Sequence, residues 1–347
     1  MINLSNKISN LIEQARLQIV RNVNHIMVCT YYEVGKLIVQ TIQEGEKRAE
    51  YGKNILKEVS LDLTSLYGKG FSVDNLENMR NFYLLYNYKF ENSETLSRIS
   101  EFQNSETVSR NYIKDSNSYL SWSHYLILMR IADIKERNFY EIESSQNQWS
   151  VRELKRQFNS GLFERLALSR SKDKLESLSN NGLIIESPED LIKEPLILEF
   201  LGLSEKAAYS ESDLETAIIN EIEKFMLELG KGFFFGGRQV RFSFDEDHYF
   251  VDLVFYNRLL HCFVLIDLKI GKLKHQDIGQ MQMYVNYYDR YVKLPDENPT
   301  VGIIICKDKS EAMVEITLPQ NCNQIFAQKY QTVLPSKEQL KHLIDNN

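Results

Sequence analysis

Two apolar strands that carry charged residues, between residues 249 and 269, constrain the fold of this chain more than any other feature. The segment reads YFVDLVFYNRLLHCFVLIDLK. Side chains alternate between the two faces of a strand, so Asp267 and Lys269 share one otherwise apolar face. Burial disfavours the charged form of both groups unless they are paired or bind an ion. With Asp252 on the neighbouring strand, the pattern predicts a divalent-metal site with a lysine beside it.

The same spacing of an acidic residue and a lysine occurs at Asp133 and Lys135. A motif this short arises readily by chance. Its surroundings, HYLILMRIADIKERNFY, place apolar residues at helical spacing, which favours a solvated helix face for both charges. We therefore expect the chemistry at Asp267 and treat Asp133 as a decoy.

Two helices are predicted to flank the strands, one on each side in the sequence. The upstream segment, SDLETAIINEIEKFMLELGKG, opens with Ser212 and Glu215 at capping-box spacing and ends at Gly230. Glu215 is therefore either the capping-box carboxylate or a residue on the face turned to the sheet. In the downstream segment, KHQDIGQMQMYVNYYDRY, Gln280 and Tyr284 lie one helical turn apart and can project together toward the strand ends.

These segments resemble the YhcG-type family of PD-(D/E)XK nucleases. In the C-terminal half the resemblance is carried by GFFFGGRQVRF, FVDLVFYNRLLHCFVLIDLKIGK and GQMQMYVNYYD, and in the N-terminal half by YYEVGKLI, GFSVDNLENMRNFYLLY, LSWSHY and WSVRELKRQ. It implies a restriction-endonuclease-like nuclease domain joined to a helical domain that binds nucleic acid. The chain departs from the family at Asp267, where the family usually carries Glu.

The order of predicted elements gives an α + α/β fold class in two domains. We expect an all-helical domain over residues 1–170, a linker over 171–211, and a restriction-endonuclease-like mixed sheet with flanking helices over 212–347. A polar, imperfectly repeated segment near 91–118 is typical of a flexible insertion.

Within the helical half, the first helix carries an apolar stripe that we expect to form core. The stripe consists of Ile8, Leu11, Ile12, Ala15, Ile19, Val23, Ile26 and Met27. Two further helical patterns, broken at Gly68 and Gly70, have the outline of a helix-turn-helix that could enter a DNA groove. A plain helical hairpin is the alternative.

The charge distribution bears on the partner. The net charge of -7 argues at first against nucleic acid, because phosphate contacts come from a surplus of Lys and Arg. Residues 1–170 hold 22 Lys and Arg against 20 Asp and Glu, so the acidity belongs to the other half. A basic cluster near the end of the helical half is either a solvated helix face or a phosphate-facing surface. It comprises Arg152, Lys155, Arg156, Arg165, Arg170 and Lys172.

Several classes of protein are disfavoured. The sequence has no apolar run of the length that crosses a membrane and does not open as a signal peptide, so we expect a cytoplasmic protein without a membrane partner. The four cysteines are scattered without zinc-site spacing. Self-association into a homo-oligomer is left open.

The predicted chemistry is metal-assisted hydrolysis of a nucleic-acid phosphodiester. Asp252 and Asp267 would hold Mg²⁺, or Mn²⁺, with Glu215 as a direct or water-mediated ligand. Lys269 would orient the attacking water or stabilise charge on a phosphate oxygen, and Gln280 would fix Lys269 or the phosphate. We expect a deoxyribonuclease, and an endonuclease in particular.

Other residues and other readings remain open at this point. Arg238 and Gln239 on the first strand, together with Tyr284, are candidates for contacts with nucleic acid. An RNA substrate is not distinguished from DNA. The alternative function is a catalytically inactive nucleic-acid-binding or scaffold protein that keeps the nuclease fold. Against it stands the joint presence of four residues, Asp252, Asp267, Lys269 and Glu215.

Overall fold

The fold is taken from a computed structural model that describes residues 2–44, 49–90, 120–170, 172–203, 209–244, 246–319 and 322–345. The chain divides into two compact units, Met1–Lys155 and Arg156–Asn347. This division falls before the predicted domain boundary at 170–212. The predicted insertion at 91–118 lies outside the described residues.

All regular secondary structure in the described residues of the first unit is helical. Its helices are α1 (Ile2–Glu44), α2 (Ala49–Tyr67), α3 (Val73–Phe90), α4 (Trp122–Leu128), α5 (Ile134–Gln146) and the start of α6 (Val151–Asn159). A small core forms where the second half of α1 packs on α3. A side chain at Gly35 would overlap the carbonyl oxygen of Met79, so the two helices approach this closely because residue 35 has no Cβ.

The apolar stripe at the start of α1 is exposed, and the prediction that it forms core is wrong. Ile8 is 48% exposed, Leu11 65% and Ile19 63%. Side chains of α1 become buried only from Val28 onward. Helical periodicity identifies an apolar face but does not say what covers it.

The second unit contains a six-stranded mixed sheet in the order β1-β6-β5-β4-β3-β2. The strands are β1 (Leu196–Ile197), β2 (Phe233–Phe244), β3 (Asp247–Asn257), β4 (Cys262–Lys272), β5 (Val301–Asp308) and β6 (Ile325–Gln331). β2, β3 and β4 pair antiparallel, and β4, β5, β6 and β1 pair parallel. The predicted fold class, a helical N-terminal region followed by a mixed sheet with flanking helices, is confirmed.

Helices cover both faces of this sheet. The helices of the second unit are α7 (Leu162–Leu168), α8 (Lys172–Asn181), α9 (Glu211–Asn220), α10 (Ile222–Leu229), α11 (His275–Tyr291), α12 (Glu311–Thr317) and α13 (Lys337–Asp345). Of these, α9 and α10 pack on one face of the sheet, and α11 and α12 pack on the other. The helix predicted upstream of the strands is split at Glu221 into α9 and α10. The segment predicted as a linker contains α8 and the edge strand β1.

The central strand β4 shows the predicted alternation. Val264 and Ile266 lie in the core shared with α9 and α10, whereas Leu265 lies in the core shared with α11. Asp267 and Lys269 follow Leu265 at two-residue spacing, so the end of this strand carries charge on the α11 side. Among the described residues, no helix combines the length and apolarity that a membrane crossing needs.

Candidate active site

The register of β3 and β4 brings two carboxylates together. Leu253 pairs with Ile266, so the next position sets Asp252 opposite Asp267. Asp252 Oδ2 accepts a hydrogen bond from the Leu268 backbone N–H at 2.8 Å, which fixes this carboxylate at the end of β4. Asp267 itself is only 3% exposed.

Lys269 stands beside Asp267, as the alternation predicts. Its Nζ lies 2.9 Å from Asp267 Oδ2 and 3.9 Å from Glu211 Oε2. Burial raises the pKa of Asp267 to about 7; the Lys269 ammonium opposes this rise and the Asp252 carboxylate adds to it. Burial lowers the pKa of Lys269, but the facing carboxylate of Asp267 more than offsets this, and the net shift is upward. One ammonium therefore does not neutralise the negative charge gathered here.

Glu215 on α9 is a third carboxylate at this place. The capping box of α9 is formed by Ser210 and Asp213, two residues earlier than the sequence indicated, so Glu215 is not the capping carboxylate. Glu215 is 6% exposed, and its Oε1 is buried without a hydrogen bond to any described residue. The nearest cation is Arg238, whose Nε lies 3.5 Å from that oxygen.

Gln239 links the carboxylates of two elements. Its Nε2 donates to Glu215 Oε2 at 2.6 Å and to Asp252 Oδ1 at 3.0 Å. The flanking pairs of β2 and β3 set it opposite Asp252, and its φ of 47° lies in the left-handed region, which is uncommon for a residue other than glycine. The sequence signal that could have found this contact is the hairpin register, which places Gln239 across from Asp252.

The remaining candidates lie on α11 and β2. Tyr284 is 1% exposed, and its hydroxyl accepts a hydrogen bond from Gln280 Nε2 at 2.6 Å. Burial raises the pKa of Tyr284, and the carboxylates of Asp267 and Asp252 raise it further. Tyr284 is thus close to the acidic site but buried, and its hydroxyl is bonded to Gln280. The Arg238 side chain is 51% exposed and available to a ligand on the outer side.

The donor set suits a hard divalent cation. Asp252, Asp267 and Glu215 supply carboxylate oxygens, the ligands that Mg²⁺ and Mn²⁺ prefer, and Glu215 Oε1 is buried without a hydrogen-bond donor. Within the described ranges, no three His, Cys, Asp or Glu side chains are already arranged to hold a metal ion. In place of a cation, the Gln239 amide donates hydrogen bonds to Glu215 and Asp252, and the Leu268 N–H donates to Asp252.

A cavity of about 790 Å³ lies between the end of β2 and the outer face of α11. It is lined by Ser243, Phe244, Gly279, Gln282, Met283, Asn286, Tyr287, Arg290 and Tyr291. Phe242 stacks on Tyr287 with ring centroids 4.1 Å apart and meets Tyr284 edge-on at 5.5 Å. Phe242 therefore contacts both Tyr287, which lines this cavity, and Tyr284 of the candidate site.

The basic cluster predicted as a possible phosphate-facing surface has a different role at three of its members. Arg165 is fully buried, and its Nη1 lies 2.6 Å from Glu228 Oε1. Arg156 pairs with Glu228 at 3.2 Å and with Glu199 at 2.9 Å. Arg170 lies 3.5 Å from an acidic partner, Asp190. The phosphate interpretation is wrong for these arginines, because buried carboxylates already occupy them.

Comparison with known proteins identifies the family. Residues 189–345 match the YhcG PDDEXK nuclease domain, and residues 7–165 match the DUF1016 N-terminal domain. A protein of Escherichia coli (strain K12) named "Putative nuclease YhcG" is 38% identical over 342 residues, which is 96% of this chain and 90% of that protein.

Two solved structures are also similar over part of the chain. One is a repair endonuclease from Pyrococcus abyssi, and the other is EndoMS in the structure described as the EndoMS-dsDNA2 complex. Each is 16% identical with a TM-score of 0.26, and the match covers 38% and 39% of this chain respectively and half of each solved chain. On the family match and the relative of nearly full length, this chain belongs to the YhcG family of PD-(D/E)XK nucleases.

Proposed function

We propose that this protein is a metal-dependent endonuclease that hydrolyses phosphodiester bonds of DNA. The observation that carries the proposal is the surplus of carboxylates around one ammonium. Asp252 lies opposite Asp267, Gln239 links Glu215 to Asp252, and Lys269 pairs with Asp267. The pKa of Asp267 is raised to about 7. Strongly perturbed acids of this kind cluster at catalytic and metal sites.

Asp252 and Asp267 would hold the cation, with Glu215 as a direct or water-mediated third ligand. Mg²⁺ is the first choice because the donors are hard oxygens, and Mn²⁺ suits the same set. When bound, such a cation lowers the pKa of a water ligand and neutralises charge that develops on phosphate. Asp267 is shorter than the Glu usual in the family, so the strand end must come closer to the cation.

Among the residues of the site, we assign Lys269 the direct contact with the reacting water or phosphate. Its side chain is 17% exposed, so the ammonium is accessible from the open side of the site while it stays paired with Asp267. From there it can donate a hydrogen bond to the attacking water or to a non-bridging phosphate oxygen. Gln280, held through its bond to the buried Tyr284, can position the same phosphate.

Gln239 has a role in the metal-free protein. Its amide donates to Glu215 and Asp252 and so reduces the repulsion between two carboxylates that lack a cation. Because Gln239 is an exposed residue at the rim, these bonds can be released without disturbing the core. Arg238 beside it is a candidate for contacts with the phosphate backbone.

The cavity beside α11 suits a nucleotide next to the bond that is cut. Aromatic rings of Phe244 and Tyr291 can stack on a base, and Arg290 supplies a cation for a phosphate. In the helical half, α2 and α3 keep the helix-turn-helix and helical-hairpin readings open. Binding of nucleic acid by that half remains part of the proposal.

The test is an incubation of the full chain with supercoiled, linear, branched and single-stranded DNA and with RNA. We expect cleavage of DNA with Mg²⁺ or Mn²⁺ and none with EDTA or in an Asp252→Asn control. Nicking or linearisation of supercoiled circles identifies an endonuclease. Binding without cleavage of any substrate would support the alternative of an inactive protein. Cleavage of RNA alone would contradict the assignment of DNA as the substrate.

A further inference from the structure

The first half of α1 presents a continuous apolar face that the described parts of the chain leave exposed. Leu4 is 65% exposed, Ile12 48%, Val23 54% and Ile26 48%. Single exposed apolar residues are ordinary on a protein surface, whereas a contiguous apolar stripe marks a contact surface. We call this face, formed by residues 4–27, the α1 stripe.

The α1 stripe follows an eleven-residue repeat. Its members recur in three series, which are Leu4, Ala15 and Ile26; Ile8 and Ile19; and Ile12 and Val23. The first series continues to Leu37, which is 61% exposed. Eleven residues in three turns correspond to 3.67 residues per turn, so the stripe runs almost straight along the helix, a spacing that suits helices paired in a right-handed supercoil.

The same helix behaves differently beyond the stripe. Val28, Cys29 and Tyr32 are buried, and Gly35 lets α1 come close to α3. The second half of α1 thus completes the core of its own unit. The first half also repeats apolar residues but does not bury them, although most helical stability in proteins comes from packing such a face against a partner.

We propose that the α1 stripe is a self-association surface that pairs with the α1 stripe of a second copy of this chain. A two-fold pairing needs a face that complements itself, and an internal repeat with the same residue types along its length meets that requirement. Ala15 lies midway between Leu4 and Ile26 in the repeat. Its small side chain allows the two helices to approach at the centre of the contact.

The flanks of the stripe favour this partner over a membrane surface. Helices that lie on membranes carry polar faces rich in Lys and Arg. The first 32 residues contain only four charged side chains, and Asn, Ser and Gln make up most of the polar face. The four are Lys7, Glu13, Arg16 and Arg21. Glu13 and Arg16 pair within the helix at 2.9 Å, so little like-charge repulsion opposes a second copy.

The mass of the full-length protein in solution tests the proposal. We expect a dimer by light scattering coupled to gel filtration and by sedimentation over a concentration series. Ile12→Lys with Ile19→Lys places two ammonium groups in the apolar contact and should weaken the dimer by about 100-fold or more. Circular dichroism checks that the variant keeps its helix content.

Two matched substitutions serve as controls. Asn10→Lys adds the same charge to the opposite face of α1, and Ile316→Lys replaces an 85% exposed isoleucine of the second unit. Both should remain dimeric. The proposal falls if the wild-type chain is a monomer at every concentration, or if the double variant keeps the wild-type mass.

A cross-link gives a second readout that does not depend on a destabilised variant. Ala15 is central, so Ala15→Cys faces its own copy whether the two helices run parallel or antiparallel about that point. We expect the oxidised variant to form a covalent dimer at low protein concentration. The wild-type chain is the control for the native cysteines, of which Cys29, Cys262 and Cys306 are buried and Cys322 is partly exposed. Absence of the cross-link in a dimeric protein would show that another surface makes the contact.

Discussion

Two clusters of buried charged residues in the second unit, around Glu228 and around Asp267, differ in the ratio of carboxylates to cations. Around Glu228 the cations outnumber the carboxylates, and the pKa of this acid falls to about 2, because Arg165, Lys193 and Arg156 outweigh the effect of burial. Around Asp267 there are several carboxylates and one close ammonium, and the pKa rises to about 7.

The hydrogen bonds follow the same division. Glu228 Oε1 accepts from Arg165 and from the Ile197 backbone N–H, and Oε2 accepts from Arg156. At the acidic site, Glu215 Oε1 is buried without a donor among the described residues. Burial of charge therefore does not by itself mark a functional site. A deficit of counter-charge and of donors distinguishes the cluster that we propose binds a ligand from the one whose hydrogen bonds are complete.

The largest expected effect is loss of activity at the deficient cluster. Asp252→Asn or Asp267→Asn removes one anionic ligand and should lower cleavage by about a thousand-fold or more, because the cation is then held weakly. The measurement is the rate of DNA cleavage at saturating Mg²⁺, with circular dichroism as the check on folding. Cleavage at the wild-type rate would remove these residues from the metal site.

The complete cluster should respond in stability instead. Glu228→Gln leaves Arg165 buried without its carboxylate and should lower the free energy of unfolding by about 3–5 kcal/mol. The readout is urea denaturation in metal-free buffer, where Asp267→Asn should leave stability level or raise it. A loss below about 1 kcal/mol for Glu228→Gln would contradict the contrast between the clusters.

Lys269 and Lys135 form a smaller and better controlled comparison, since each follows an Asp by two residues. Lys269→Ala should lower turnover by about 100-fold and leave metal affinity unchanged, because a cation does not hold Mg²⁺. Lys135→Ala should change neither. Asp133 is the N-cap of α5, and its side chain accepts hydrogen bonds from the backbone N–H groups of Lys135 and Glu136. Its hydrogen bond with Lys135 therefore involves the backbone of the lysine and not the ammonium group.

Calorimetric titration with Mn²⁺ separates the outcomes for Lys269. If Lys269→Ala lost metal affinity in step with turnover, the lysine would be a structural partner of Asp267. If Lys135→Ala were the inactive and folded variant, the active site would belong to the helical unit.

The smallest expected effect is a difference in pH dependence. The folded protein raises the pKa of Asp267 from 3.8 to about 7. Its contribution to the free energy of unfolding is therefore complete below pH 4 and is lost as the pH rises through about 7 in metal-free buffer. Thermal unfolding of the wild type between pH 5 and pH 8.5 should show it, and Asp267→Asn should not.

Glu228 should give the opposite sign. Its pKa is held at about 2, below the usual 4.5 of a glutamate, so its contribution to stability is present above pH 4.5 and is lost as the pH falls toward 2. Glu228→Gln should remove that acid-side loss. Equal pH profiles for the two variants would mean that the clusters do not differ as described.

The sequence predicts the strand-borne part of the site well. Asp252, Asp267 and Lys269 follow from strand alternation and register, which are local properties. Glu215 is ambiguous in the sequence because the true N-cap, Ser210, lies two residues before the expected one. The bridging role of Gln239 depends on which residue faces it across a hairpin.

Longer-range partners escape sequence reasoning altogether. The charge on Arg165 is visible, but its partner Glu228 lies 63 positions away, and only the fold shows that both are buried. A nuclease fragment that begins at residue 212 would lack Arg165, Arg156 and Lys193 and would leave Glu228 unpaired. Similarly, the periodicity of α1 is visible in the sequence while its exposure is not.

The pairing of the edge strand β1 with β6 affects the order in which the sheet of the second unit forms during folding. The site-bearing strands β2, β3 and β4 are neighbours in sequence, and their pairing closes only short loops. β1 pairs with β6, and nearby Gln328 donates to the backbone of Lys193 across 135 positions. Long loops cost more entropy to close, which places this edge late in folding. During synthesis, β2, β3 and β4 are complete before β6 has left the ribosome. The sheet can therefore add its β6 and β1 edge only when the last part of the chain emerges.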